Sequence, residues 1–134
     1  MRSRLCFLLS GLLLFAAVAP AVAHHAFAAE FDVTKPVKIK GTTTKMEWTN
    51  PHAWLYVDVK EDDGKLVNWR FELGAPNALI RLGWKKDTIP AGIEVEIEGF
   101  RAKAGGPHIN GNSVVLSDGK KVFSGQNDGG PGRN

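Results

Sequence analysis

Apolar and polar residues alternate over most of the chain with a period of two, the signature of half-buried strands. Ala53, Leu55, Val57 and Val59 alternate with His52, Trp54, Tyr56, Asp58 and Lys60, so His52 to Lys60 reads as a strand with its first set inward. Leu66 to Leu73 repeats the pattern with Val67, Trp69, Phe71 and Leu73 on one face, and Glu61 to Lys65 makes the hairpin loop between them. Ile93 to Phe100 alternates Ile93, Val95 and Ile97 with Glu94, Glu96 and Glu98. Val37 to Trp48 reads as a longer strand whose apolar parity switches, which places a bulge or tight bend near Gly41. His108 to Ser117 is a further strand, interrupted at Asn110-Gly111, and Asp118-Gly119 turns it back into Lys120 to Phe123. A single helical stretch, Asn77 to Leu82, is led by Pro76 and stopped by Gly83, with Leu79 and Leu82 expected to plug one end of a sheet. The fold class expected is mainly β. The order fits a small OB-like Greek-key barrel of about five strands with one short helix between strands 3 and 4, and a small open β-sandwich is the alternative.

The amino-terminal pattern belongs to transport, not to the fold. Arg2 and Arg4 precede an apolar run, Leu5 to Val18, and Ala21-Val22-Ala23 is the small-x-small pattern of a signal-peptidase site. The run is short for a membrane span, so a cleaved leader and no stable span afterwards are expected. The organisation is then residues 1–23 leader, 24–36 arm, 37–123 barrel and 124–134 a glycine-rich disordered tail. Export, to the periplasm, is the localisation expected. Cleavage removes Cys6, so disulfides and thiolate ligands drop out. It also leaves 15 of the 17 basic residues against 14 acidic ones, and a near-neutral chain gives no support to nucleic-acid binding.

Cleavage after Ala23 makes His24 the first residue and His25 the second. An α-amine beside an imidazole is a chelate for a transition metal, and His52 or His108 can add a further ring. His24, His25, His52 and His108 are therefore the candidate metal ligands, with copper, Cu(II), the ion that a thiolate-free nitrogen set suits best. The bland reading is a solvated start to the chain, with His52 as a strand-edge residue. A second candidate site is an aromatic groove of Trp48, Asn50, His52, Trp54 and Tyr56, taking an unknown small ligand or a protein partner by stacking. Its bland reading has Phe27 and Phe31 of the arm packed over those rings. Glu94, Glu96 and Glu98 suit a solvated face or basic neighbours such as Lys38 and Lys40 better than a cation site. Once Cys6 is removed the chain holds no cysteine nucleophile; it has no elbow serine and no acid–base pair set for catalysis, so no catalytic residue is assigned and a non-enzymatic binding role is expected.

The segments HHAFAAEFD, EWTNPHAWLYVDV, NWRFELGAPNALIRLGW and IEVEIEGFRAK carry a resemblance. Through them the chain resembles a family of secreted bacterial proteins known only as a domain of unknown function, over essentially its whole mature length. His24-His25 and the string Trp48 to His52 are its most specific marks. The resemblance implies an exported, compact and non-enzymatic protein. The expected topology also looks like that of small periplasmic OB-fold proteins that bind ligands or serve stress responses, which is likeness of fold and not of function.

Overall fold

The computed structural model describes residues 27–124; the expected leader, His24, His25 and the expected tail from residue 125 lie outside the described residues. Residues 27–30 are helical (α1). Then follow β1 (Phe31–Trp48), β2 (Ala53–Lys60), β3 (Leu66–Glu72), α2 (Pro76–Arg81), β4 (Glu94–Ala102), β5 (His108–Leu116) and β6 (Lys121–Ser124). Strand neighbours run β3-β2-β1-β4-β5-β6, and β3 also pairs with β5. That last pairing is parallel, through Arg70 with His108, Phe71 with Ile109 and Glu72 with Asn110, and it closes five strands into a ring of hydrogen bonds. The other pairings are antiparallel. The protein is thus mainly β and barrel-like, with α2 between β3 and β4, as the alternation predicts.

One strand serves two neighbours. β1 pairs with β4 as far as Thr42 and with β2 from Thr42 onward. It must coil sharply to do so, and Gly41 sits at the handover. A Cβ there would fall on the Asp58 carbonyl oxygen and lie 2.7 Å from Val57 Cγ1. Gly41 is needed for this close approach, but the switch of parity expected there occurs later, at a bulge between Thr43 and Lys45. Thr43 fixes that bulge from inside. Buried at 2 % exposure, its hydroxyl donates to the Pro90 carbonyl at 2.6 Å and accepts from the Ile93 N–H at 3.1 Å.

The expected inward residues of β2, β3 and β4 do face the core, and Ile109 and Val114 of β5 join them. Leu55, Val57, Phe71, Leu79, Ile97, Ile109 and Val114 are fully buried. Most element boundaries shift by one or two residues, and a few differences and one plug matter more. The first strand begins at Phe31, not Val37, so half of the expected arm, Phe31 to Pro36, runs as strand beside β4. β2 begins at Ala53, leaving His52 at the end of the turn, and β6 runs on to Ser124. Leu82 is 55 % exposed, because α2 ends at Arg81 and turns it outward. Leu79, Trp84 and Ile89 close that end of the barrel instead. Asn110-Gly111 does not interrupt β5; a register shift against β4 at Glu98/Gly99 absorbs the irregularity.

The acidic stripe of β4 meets the lysines of β1. Lys38 lies opposite Glu98 and Lys40 opposite Glu96, with Lys38 Nζ 2.7 Å from Glu98 and 2.9 Å from Glu96, and Lys40 Nζ 3.1 Å from Glu96. The hydrogen bond from Lys38, then that from Lys40, holds the Glu96 carboxyl below its ordinary value. This row is an exposed ion-pair ladder. Among the described residues no helix is long and apolar enough to cross a membrane.

Gly41→Ala has no room to relax, since the nearest atom is backbone. It should destabilise the protein by about 3 kcal/mol in urea unfolding, whereas an effect within about 0.5 kcal/mol would show that β1 does not approach β2 so closely.

Candidate metal centre on the outer face

The register of the β2–β3 hairpin puts Trp54 opposite Glu72 and Tyr56 opposite Arg70. The parallel β3–β5 pairing then sets His108 beside Arg70. Paired residues share a face of the sheet. Trp54, Tyr56, Arg70, Glu72 and His108 are therefore neighbours on the outside of the barrel. Two of them are nonetheless buried, Glu72 at 7 % and His108 at 8 % exposure.

The amino-terminal segment does the covering. Phe31 packs its ring edge-on against the His108 imidazole, centroids 5.3 Å apart, and Trp54 packs on the same imidazole at 5.4 Å. Phe27 stacks on Phe31 at 5.3 Å and meets Phe100 edge-on at 6.1 Å. The segment is tied down by the Lys103 N–H, which donates to the Glu30 carbonyl at 2.8 Å. The arm thus covers His108; Trp54 and Tyr56 stay half-buried.

At the centre is the Glu72 carboxylate. His52, at the end of the turn before β2, donates from Nδ1 to Glu72 Oε1. The other oxygen, Oε2, lies 3.7 Å from His108 Nε2. That separation is too long for a hydrogen bond. It is close to the roughly 3.4 Å that separates two ligand atoms each about 2.1 Å from a tetrahedral ion. His108 Nε2 is buried with no hydrogen-bond partner among the described residues; Trp48 Nε1 is the other such atom. Glu30, from α1, completes the group: one ligand atom each from Glu30, Glu72 and His108 lie within 4.8 Å of one another. Two carboxylates and an imidazole make an oxygen–nitrogen donor set for a divalent transition metal.

The remaining candidates fall out as follows. His52 and His108 are brought together, through Glu72. Trp54 packs on His108 and carries the Arg70 guanidinium 5.3 Å over its ring. Tyr56 donates its hydroxyl to Glu47 Oε2 at 2.9 Å, under Lys45 at 4.4 Å from the ring. Burial, then that bond to the Glu47 carboxylate, pushes the Tyr56 phenol up, while Lys45 holds the Glu47 carboxyl down. Asn50 is exposed in the turn before β2. Trp48 does not join the outer aromatic stripe. It lies opposite inward-facing Ala53 and packs against the core, because the bulge at Thr43/Lys45 turns its parity inward. His24 and His25 lie outside the described residues.

Sequence reasoning missed Glu30, Glu72 and Arg70. A signal for two of them existed: a loop over residues 61–65 pairs Lys60 with Leu66, which carries Trp54 to Glu72 and Tyr56 to Arg70. The contact with His108 needs the non-local β3–β5 pairing and had no local signal.

The chain belongs to a family of unknown function, DUF6152, whose model matches residues 12–111. No curated protein sequence matches it.

The placement of the two tryptophans is directly testable. Trp54→Ala should cost about 1 kcal/mol of stability and Trp48→Ala about 3 kcal/mol, measured by chemical unfolding. The reverse order would put Trp48 outside and Trp54 in the core.

Proposed function

We propose that this DUF6152 protein is an exported, non-enzymatic binding protein that holds a transition-metal ion, with Cu(II) foremost, at Glu72, His108 and Glu30. The observation that carries this reading is the buried Glu72 carboxylate between two imidazoles, one of which, His108, has no partner for its Nε2 among the described residues. A buried polar atom without a partner costs about 1–3 kcal/mol, and a buried carboxylate needs compensating positive charge. One divalent ion bound at Oε2 and Nε2 supplies both.

His52 then has a different role from the one the sequence suggests. Its Nδ1 proton is engaged by Glu72 Oε1, so it orients the carboxylate from the far side of the ion. Hydrogen bonds of this kind set the geometry and basicity of metal ligands. Export supports the reading as well. A cut after Ala23 leaves a free amine at His24, six residues before Glu30 in the sequence, where His24 and His25 can offer further nitrogen ligands. Nitrogen and oxygen donors without a thiolate suit Cu(II), which heads the divalent affinity order.

The alternative, a metal-free module that stacks a ligand on an aromatic face, draws on the half-buried Trp54 and Tyr56. It loses ground because Trp48 packs inward and the Tyr56 hydroxyl is engaged by Glu47.

The test is a Cu(II) titration of the mature protein beginning at His24, against Glu72→Gln, His108→Ala, His52→Gln and a copy with one extra leading glycine. One-to-one binding is expected. His52→Gln should weaken it about 10- to 100-fold and the two ligand variants by more. The added glycine should weaken it wherever the α-amine is a ligand. Affinity unchanged in both Glu72→Gln and His108→Ala, with folding verified by circular dichroism, would place any copper elsewhere and end this reading.

A further inference from the structure

Arg70 stands on the other side of His108 from the carboxylates. Its Nη2 lies 3.4 Å from His108 Nδ1, and its guanidinium sits over Trp54. Among the described residues it has no carboxylate partner, unlike Lys38, Lys40, Lys45 and Lys65. Arg70 and His108 together line a groove of about 420 Å³, with Tyr56, Asn68 and Glu30 also on its walls.

The two nitrogens of His108 are linked by its tautomer. A neutral imidazole carries one proton, so one nitrogen donates and the other accepts. Arginine has donors only. Where Arg70 donates into Nδ1, the proton of His108 is on Nε2, facing Glu72. A metal at Nε2 needs the lone pair there, so the proton must sit on Nδ1. Nδ1–H and the Arg70 N–H groups are then donors facing each other, with no protein acceptor between them among the described residues. A carboxylate in the groove accepts from both. It would complete a carboxylate–histidine–metal arrangement of the kind that orients metal-bound imidazoles, with the carboxylate supplied from outside the chain. Its fork also matches the bidentate geometry of a guanidinium.

We propose that the groove between Arg70 and His108 binds a small organic carboxylate, and that this anion and the metal at His108 Nε2 strengthen each other's binding. The proposal rests on the metal reading above. It goes beyond that reading in assigning a second ligand, its chemical class and a residue, Arg70, that does not touch the ion. The coupling is reciprocal: whatever the carboxylate does to metal affinity, the metal does to carboxylate affinity.

The probe is Zn(II), which avoids redox chemistry, titrated into the mature protein with sodium perchlorate and then with sodium acetate at the same ionic strength. The wild type should bind Zn(II) about tenfold more tightly in acetate. Arg70→Gln places a carbonyl acceptor within reach of Nδ1–H, so it should not weaken Zn(II) binding in perchlorate and should lose the acetate effect. Arg70→Lys, which keeps the charge but not the fork, should recover only part of it. Equal affinities in the two salts for the wild type, or an acetate effect surviving in Arg70→Gln, would overturn the coupling while leaving the metal site standing. No Zn(II) binding in either salt would overturn the coupling, while the Cu(II) titration above decides the metal reading separately.

Discussion

Everything on the outer face follows from one parallel pairing, that of β3 with β5. Closing the ring there pairs the Arg70–Glu72 end of β3 with the His108–Asn110 end of β5. It also joins residues that the antiparallel hairpins alone would leave far apart, since His108 reaches Arg70 and Glu72 only by lying beside β3. The long β1 strand is the second half of the same constraint. It must bend past β2 to let the ring close, and the bend is bought with a glycine, a bulge and a buried threonine. A fold that needs this closure fixes the positions of Glu72 and His108 on adjacent strands, whatever they do.

What they do is a question of charge. The barrel interior is apolar, so its stability needs nothing from Glu72, an outward-facing residue that is nevertheless buried by its neighbours. A carboxylate in that position is costly unless hydrogen bonds and positive charge compensate it. One oxygen has His52; the other faces an imidazole nitrogen across a gap too wide for a hydrogen bond. Phe31 and Trp54 meanwhile keep that imidazole dry on both flanks. Low exposure strengthens any electrostatic interaction formed there, so the same packing that makes a buried carboxylate costly makes an ion beside it more firmly held.

The sequence made the fold legible because the strands alternate cleanly and the turn residues are in place. Ala53 to Val59 and Val95 to Ile97 face inward as their parity requires, and α2 starts at Pro76 and stops before Gly83. Among the features that were misplaced, two show the physical reasons plainly. Trp48 looked outward because a single-residue bulge reverses parity and leaves no mark in composition. Leu82 looked inward because a short helix ends where its last turn happens to face solvent. At the candidate site, the histidines stood out as rare residues, whereas Glu72 read as one more outward acid. Its significance comes from non-local pairing, and only the hairpin half of that pairing can be read from loop length.

The central claim is that Glu72 and His108 share one ion. The most direct measurement is anomalous diffraction from crystals of the protein beginning at His24, loaded with one equivalent of Cu(II). The account predicts a single strong peak within about 2.0–2.2 Å of both a Glu72 carboxylate oxygen and His108 Nε2. A peak elsewhere, or density showing Glu72 and His108 unchanged beside a fully occupied ion at another place, would contradict it.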